Sequence, residues 1–284
     1  MPRGATPLLA QIGEQAIPFL ALDRRGPEQV VTIPAEQPVE GPSAEAAVLV
    51  VEHDVTFHLS RVERVSTDAV GSAVTMARMY RDLFDRNPYG TNCWLLGADE
   101  AEDAVVVDPG FEPDDVRALL TRAGRRPAAV LLTHAHVDHA FAAGEFAGDD
   151  VPVYVHQDDA VAFDDLEAWN PGFENPLTEV KDLRRLVGGE ELPFEGFSVR
   201  VRHTPGHTPG HCSFLTDATL LAGDLVFAGS IGRSDFPNSS PAAMETSLRW
   251  FLTLDDTLDV LPGHGPTTTV GRERSTNPFL AGLA

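Results

Sequence analysis

The sequence predicts an α/β protein in which two β-sheets pack face to face with helices outside. Three observations predict it. The strand-like runs between about residue 74 and the C-terminus fall into two groups, and each group is followed by amphipathic helices. Both groups run into loops crowded with histidine and aspartate. No period of 20 to 50 residues is visible, which excludes a solenoid.

In chain order, "TNCWLLGA" and "DAVVVDPG" read as strands joined by a short acidic turn, a hairpin. "EPDDVRALLTRAG" is an amphipathic helix with acids in its first turn and a glycine stop. "PAAVLLTHAHVDH" is a buried strand entering a histidine-rich loop, "AFAAGEFA" a short helix, and "VPVYVHQ" another strand. Residues 158 to 193 read as helix and loop. "FSVRVRHT", "HCSFLTD" and "ATLLAGDLVF" return to strands. "PAAMETSLRWFLTL" is a helix, "DVLPGHGP" a strand and turn, and "GRERSTNPFLAGLA" a short tail helix.

Residues 1–73 differ from the rest. They hold Pro- and Glu-rich stretches and two strand-like runs, "AAVLVVE" and "VTFHLSRV", with no motif, so they form an N-terminal extension of unknown role. Met76 and Met79 are alternative starts. His53 and His58 read as surface or strand histidines. Residues 74–284 form the domain that carries chemistry.

Composition narrows the function. The formal net charge of -22 argues against nucleic acid as a partner, because phosphate binding needs basic surface. No apolar run is long enough to span a membrane, and the N-terminus is interrupted by Gln11, Glu14 and Gln15, so a cytoplasmic protein is expected. Lys181 is the only lysine among 21 cations. Such an acidic, lysine-poor surface fits solubility in high salt, and a genome that favours arginine gives the same bias. Cys93 and Cys212 lack the CxxC spacing of a thiolate site and are expected to pack as small hydrophobes.

The strongest motif is "THAHVDH", residues 133 to 139. Four ligand-type side chains, His134, His136, Asp138 and His139, fall at the end of an apolar strand. In extended backbone His134 and His136 share a side-chain direction and can meet one ion, while Asp138 and His139 can turn toward a second. "RHTPGHTPGH" adds His203, His207 and His211 at intervals of four. Its proline and glycine content excludes a helix. His203 closes one strand and His211 opens the next, which leaves His207 between the Pro-Gly pairs, free to point into a site.

These segments resemble the metallo-β-lactamase-fold hydrolases, whose signature is T-H-x-H-x-D-H. "HTPGHTPGH" is similar to that family's third ligand loop, "GDLVFAGSIGRSDFP" to its bridging-aspartate segment, and "PGHGPTTTVGRERSTNPFL" to its last histidine and tail. Within the family the glyoxalase II-like, or hydroxyacylglutathione hydrolase-like, group matches best. The resemblance implies a four-layer αββα sandwich with two divalent metal ions at one edge. It places His134, His136 and His207 on one ion, Asp138, His139 and His264 on the other, and Asp224 between them. Asp138 would also orient the nucleophile. Asp108 and His211 would support the ligands from behind, and Arg233 would meet a substrate carboxylate, a role that competes with a salt bridge inside its own loop. Donors without thiolate suit zinc, iron or manganese and do not choose between them; zinc is the expectation.

The implied activity is hydrolysis of a small-molecule acyl-thioester such as S-lactoylglutathione. Only twenty residues follow His264, too few for the C-terminal helical region that builds much of the glutathione pocket in glyoxalase II. The thiol of the substrate therefore stays open. Two other readings share the ligands: a mononuclear iron persulfide dioxygenase, and a non-catalytic metal-binding protein.

Overall fold

The computed structural model describes residues 79–147, 150–169 and 177–283. The extension over 1–73, with its two strand-like runs, His53 and His58, lies outside them.

The first sheet holds β1 (Met79–Phe84), β2 (Cys93–Ala98), β3 (Asp103–Val107), β4 (Arg126–Leu131), β5 (Val153–His156) and β6 (Leu183–Leu186), in that spatial order. β1, β2 and β3 are antiparallel, and β2–β3 is the expected hairpin. From β3 to β6 the strands run parallel, so each step needs a crossover. The first crossover is α1 (Pro113–Arg122), with proline in its first turn, Asp114 and Asp115 at its positive end and Arg122 in its last turn. The second holds two one-turn helices, α2 (Val137–Ala140) and α3 (Ala143–Phe146). The third includes a 3-10 turn at Ala160–Phe163 and α4 (Leu166–Trp169).

The second sheet contains β7 (Glu191–Phe194), β8 (Phe197–His203), β9 (Cys212–Leu215), β10 (Thr219–Gly223), β13 (Asp259–Pro262) and β14 (Thr268–Thr269). β7 to β10 form an antiparallel meander. β13 lies parallel to β10 after a crossover through the small hairpin β11 (Val226–Phe227) and β12 (Ser230–Ile231) and then α5 (Pro241–Phe251). Ser240 caps α5 by accepting from the Ala243 N–H at 3.3 Å. α6 (Val270–Thr276) follows β14.

Strand alternation sorts the core into layers. Trp94 and Leu96 of β2 and Val105 and Val107 of β3 face Val199, Val201, Phe214 and Leu221 of the second sheet. Leu95, Ala104 and Val106, one residue out of phase, face the other way and pack with Val116, Leu119 and Leu120 of α1. On the far side Leu220, Ala222 and Val260 pack under Met244, Leu248 and Phe251 of α5. The result is the αββα sandwich, and Cys93 and Cys212 are buried and unpaired within it.

Two sequence readings are corrected. Residues 158 to 193 contain β6 and most of β7, not only helix and loop, and the tail helix ends at Thr276. β1 went unread. β1, β6, β7 and β14 are all sheet edges, and edge strands are short and charged: "LRRL" carries two arginines and "ELPF" a proline. They lack the apolar run by which a central strand is recognised. The tail helix stops because Pro278 cannot continue it, and Asn277 is already extended at ψ 117.

Every described element begins at or after Met79, so a chain started at Met76 retains them all. Such a chain is expected to fold and to bind metal with the stoichiometry of the full protein, as elemental analysis of the two purified forms will show. Loss of metal from the folded short form would place part of the site before residue 76.

Candidate metal centre

The carboxyl ends of β3, β4, β10 and β13 reach one edge of the sandwich, and the ligand-type residues sit just past them. Asp108 follows β3, His134 and His136 follow β4, Asp138 and His139 lie in α2, His207 is in the β8–β9 loop, Asp224 follows β10 and His264 follows β13. The backbone turns helical right after His136, which is extended at φ -63, ψ 145. That transition sends Asp138 and His139 away from the direction of His134 and His136.

Three groups of donor atoms result, each within 4.8 Å: His134, His136 and His207; His134, His139 and Asp224; Asp138, His139 and His264. Asp224 stands between the outer two. Its Oδ2 is 3.3 Å from His207 Nε2 and 3.7 Å from His264 Nε2, and its Oδ1 is 3.5 Å from His139 Nε2. Asp138 Oδ2 lies 3.5 Å from His139 Nε2 and 3.4 Å from His264 Nε2.

The outward nitrogens fix the tautomers. His207 Nδ1 donates to the Arg233 carbonyl at 2.8 Å, His264 Nδ1 to the Gly90 carbonyl at 3.2 Å, and His139 Nδ1 to Asp108 Oδ2 at 3.0 Å. Thr133 Oγ1 donates to Asp108 Oδ2 at 2.6 Å, so it accepts from His134 Nδ1 at 3.0 Å. Four Nε2 atoms therefore point inward, each a donor to a cation once its ring is neutral. His136 meets His207 Nε2 through its Nδ1 at 2.8 Å. Asp108, at φ 50, also accepts from the Thr133 N–H at 2.7 Å. Aspartate tolerates that left-handed backbone better than most residues.

Electrostatics follow from this crowding. Burial, reinforced by neighbouring histidines, holds His134 and His211 well below the usual imidazole range and His136 down to about 3. Burial also lowers His207. At His139 burial pulls down, but Asp138, Asp224 and Asp108 together outweigh it and push the ring up to about 10. His264 is raised, since Asp138 and Asp224 overcome its burial. Asp138 is held low because His139, His264 and Thr91 overcome its burial.

The residues fit a pair of cations. His134 Nε2 and Asp224 Oδ1 are buried without any hydrogen-bond partner, an arrangement that costs about 1–3 kcal/mol per group unless something else meets them. Gly263 has no side chain for the same reason of space: a Cβ there would collide with Asp224 Oδ1 and crowd His139. A further group, His156, Asp158 and His203, also lies within 4.8 Å, but its two rings stack 4.0 Å apart at 10°. An imidazole lone pair lies in the ring plane, and parallel planes offer no shared point to an ion, so this group is not a site as placed.

His211 is fully buried and accepts from the Asp224 N–H at 3.0 Å through Nε2, which leaves Nδ1–H for Thr204 Oγ1 at 2.9 Å. His203 donates to the Pro209 carbonyl at 2.8 Å and does not reach the clusters. The Arg233 side chain pairs with Asp235 at 2.9 and 3.0 Å and lies over the Phe236 ring at 4.3 Å. Phe236 in turn stands edge-on to His136 and His207.

Two residues near the centre were missed in the sequence. Thr91 Oγ1 donates to Asp138 Oδ2 at 2.9 Å, and Asp159 accepts from three groups around the ligand loops. Neither belongs to a cluster of ligand types, so no spacing marks them.

The fold and this edge define a metal-site α/β sandwich, and the chain belongs to the metallo-beta-lactamase superfamily, whose model matches residues 86–268. The chain is 35% identical to the Haemophilus influenzae hydroxyacylglutathione hydrolase GloC over 196 residues, covering 66% of this chain and 92% of that protein. Among solved structures it is similar to the B3 metallo-beta-lactamase BLEG-1, at 34% identity and a TM-score of 0.65, over 72% of this chain and 100% of that one. It is also similar to TTHA1623 in a di-iron-bound form, at 40% identity and a TM-score of 0.61, over 70% and 100%. Among the described residues no helix is long and apolar enough to cross a membrane.

Two outcomes are expected at this centre. His207→Ala should lower metal content and abolish most activity, whereas His211→Ala should cost roughly 10–100-fold and His203→Ala less. Metal stripped by His203→Ala but not by His207→Ala would reverse the assignment. Because three carboxylates hold a proton on His139 up to about pH 10, zinc entering the metal-free protein near pH 8 must displace it. Calorimetry in buffers of different ionisation heat should therefore register proton release, and heats independent of the buffer would contradict it.

Proposed function

We propose that the protein is a metal-dependent hydrolase of acyl-thioesters, of the type of S-lactoylglutathione or its counterpart on another small thiol. The observation that carries this reading is the pair of donor groups His134–His136–His207 and Asp138–His139–His264, with Asp224 between them. It is supported by the likeness to GloC, a hydroxyacylglutathione hydrolase by name. Two divalent cations held there, zinc in this proposal, would supply Lewis acidity and bring the pKa of water toward neutrality.

The protein's own groups do the rest. Thr91 fixes the Asp138 carboxylate at 2.9 Å, so that it keeps one orientation beside His139 and His264, where it would orient a nucleophilic water. His134, His136 and His207 are neutral at physiological pH, so no proton has to leave these rings before they can bind a cation. Phe236, edge-on to two of these rings, and Phe227, edge-on to His264, give the centre an apolar wall on each side. Arg233, 65% exposed above Phe236, offers a guanidinium to a carboxylate of the thiol moiety. Asp235, which holds that guanidinium at 2.9 and 3.0 Å, would share it with the substrate carboxylate.

The test is a thiol-release assay on a thioester panel run beside an oxygen electrode with glutathione persulfide. Zinc-loaded protein is expected to release thiol and consume no oxygen. Iron-dependent oxygen uptake without thiol release would instead establish a dioxygenase, and neither activity a binding protein. Arg233→Ala should raise KM for a carboxylate-bearing thioester by about tenfold with kcat preserved, the value of one charge-assisted hydrogen bond.

A further inference from the structure

Asp159 lies two residues beyond the Gln157 that follows β5, and solvent does not reach it. Its Oδ2 accepts from the Ala135 N–H at 3.1 Å and from Thr208 Oγ1 at 2.6 Å. Its Oδ1 accepts from the Gly210 N–H at 2.6 Å. Ala135 is the residue between His134 and His136. Thr208 follows His207, and Gly210 precedes His211. One buried carboxylate thus ties the loop after β4, in the first sheet, to the β8–β9 loop, in the second.

We propose that Asp159 is the positioning residue of the first metal cluster, a clamp that sets the distance from the His134–His136 loop to His207. The inference rests on the reading of His134, His136 and His207 as ligands of one ion. Those three rings come from two loops that belong to different sheets, and beside the Cys212 N–H bond to the Thr133 carbonyl at 2.7 Å their convergence needs a side-chain tie across the gap. Asp159 supplies it while touching no ligand side chain. The second cluster has different anchors, Thr91 on Asp138 and Gly90 on His264.

The chemistry demands a carboxylate. All three partners are donors, and aspartate presents acceptors on both oxygens. An asparagine amide carries one oxygen only. Turned one way its NH2 meets the Gly210 N–H; turned the other way it meets the Ala135 N–H. The space is as strict as the polarity, for a Cβ at Gly210 would stand 2.5 Å from Asp159 Oδ1. This accounts for a glycine at that position of "TPGH" independently of any turn requirement.

The test uses the full chain with zinc as the probe. Asp159→Asn and Asp159→Ala are compared with wild type for zinc stoichiometry after dialysis, for affinity by competition with a chromophoric chelator, and for Tm by circular dichroism. One of two zinc equivalents is expected to weaken by roughly 10–100-fold, well below the Tm of each variant, while the other keeps its affinity. Thr208→Val removes a single donor without changing shape, so it should move the same equivalent less, and it answers the question if the Asp159 variants do not fold. Equal weakening of both equivalents, or a lowered Tm with both affinities intact, would make Asp159 a brace of the fold and overturn the proposal. Failure of the ligand reading itself looks different, because wild-type protein would then bind no zinc at these affinities.

Discussion

The arrangement of this protein depends on the burial of two carboxylates, Asp138 and Asp224, among five imidazoles at one edge of a sandwich. A buried charge without compensation is expensive, and the two aspartates are 18% and 8% exposed at their side chains. Their demand for positive charge is visible in His139, which they and Asp108 drive to a high pKa against the pull of burial. His134 and His136, a few ångströms away, go the other way and stay neutral. One site therefore holds lone pairs on one side and a concentrated negative charge on the other, the pairing that cations satisfy and that neither water nor a hydrophobic core does.

The layers exist to bring those groups together. Asp108, the His134–His139 segment, Asp224 and His264 each follow the carboxyl end of a strand, and the parallel pairs β3–β4 and β10–β13 place those ends side by side within each sheet. Face-to-face packing of Trp94, Val105 and Val107 on Phe214, Leu221 and Leu261 then brings the two edges into reach. The backbone makes the last contacts, as the Asn92 N–H donates to the Gly263 carbonyl at 2.7 Å and the Cys212 N–H to the Thr133 carbonyl at 2.7 Å. Both bonds join one sheet to the other beside the ligands.

The sequence revealed the ligand types because they cluster where they are used. Four of them occupy six residues of "THAHVDH", and the breakers around His207 told its loop from a helix. Central strands were equally plain, as apolar runs. The missed parts act through groups without a pattern. Edge strands such as "LRRL" trade apolar residues for charge, and Asp159 works on backbone N–H groups that every residue has. Arg233 was found as a cation near the right segment, but its pairing with Asp235 and its stack on Phe236 are properties of a folded loop. Spacing identifies side chains that share one ion; it cannot identify a side chain whose partner is a distant peptide bond.

Exposure orders the two clusters and gives the centre a direction. In the first cluster His134 is inaccessible, His207 is 4% exposed and His136 is half-buried; in the second His139 is inaccessible, while the His264 and Asp138 side chains are 28% and 18% exposed. The first cluster is thus the more enclosed of the two, and the second opens outward through Asp138 and His264, whose Nδ1 is held by the Gly90 carbonyl. A low-dielectric interior strengthens each interaction of the inner cluster, while the outer one is weakened by the water that reaches it. The three imidazoles of the first cluster are therefore the drier donors, and the carboxylate that Thr91 orients stands on the side that water reaches.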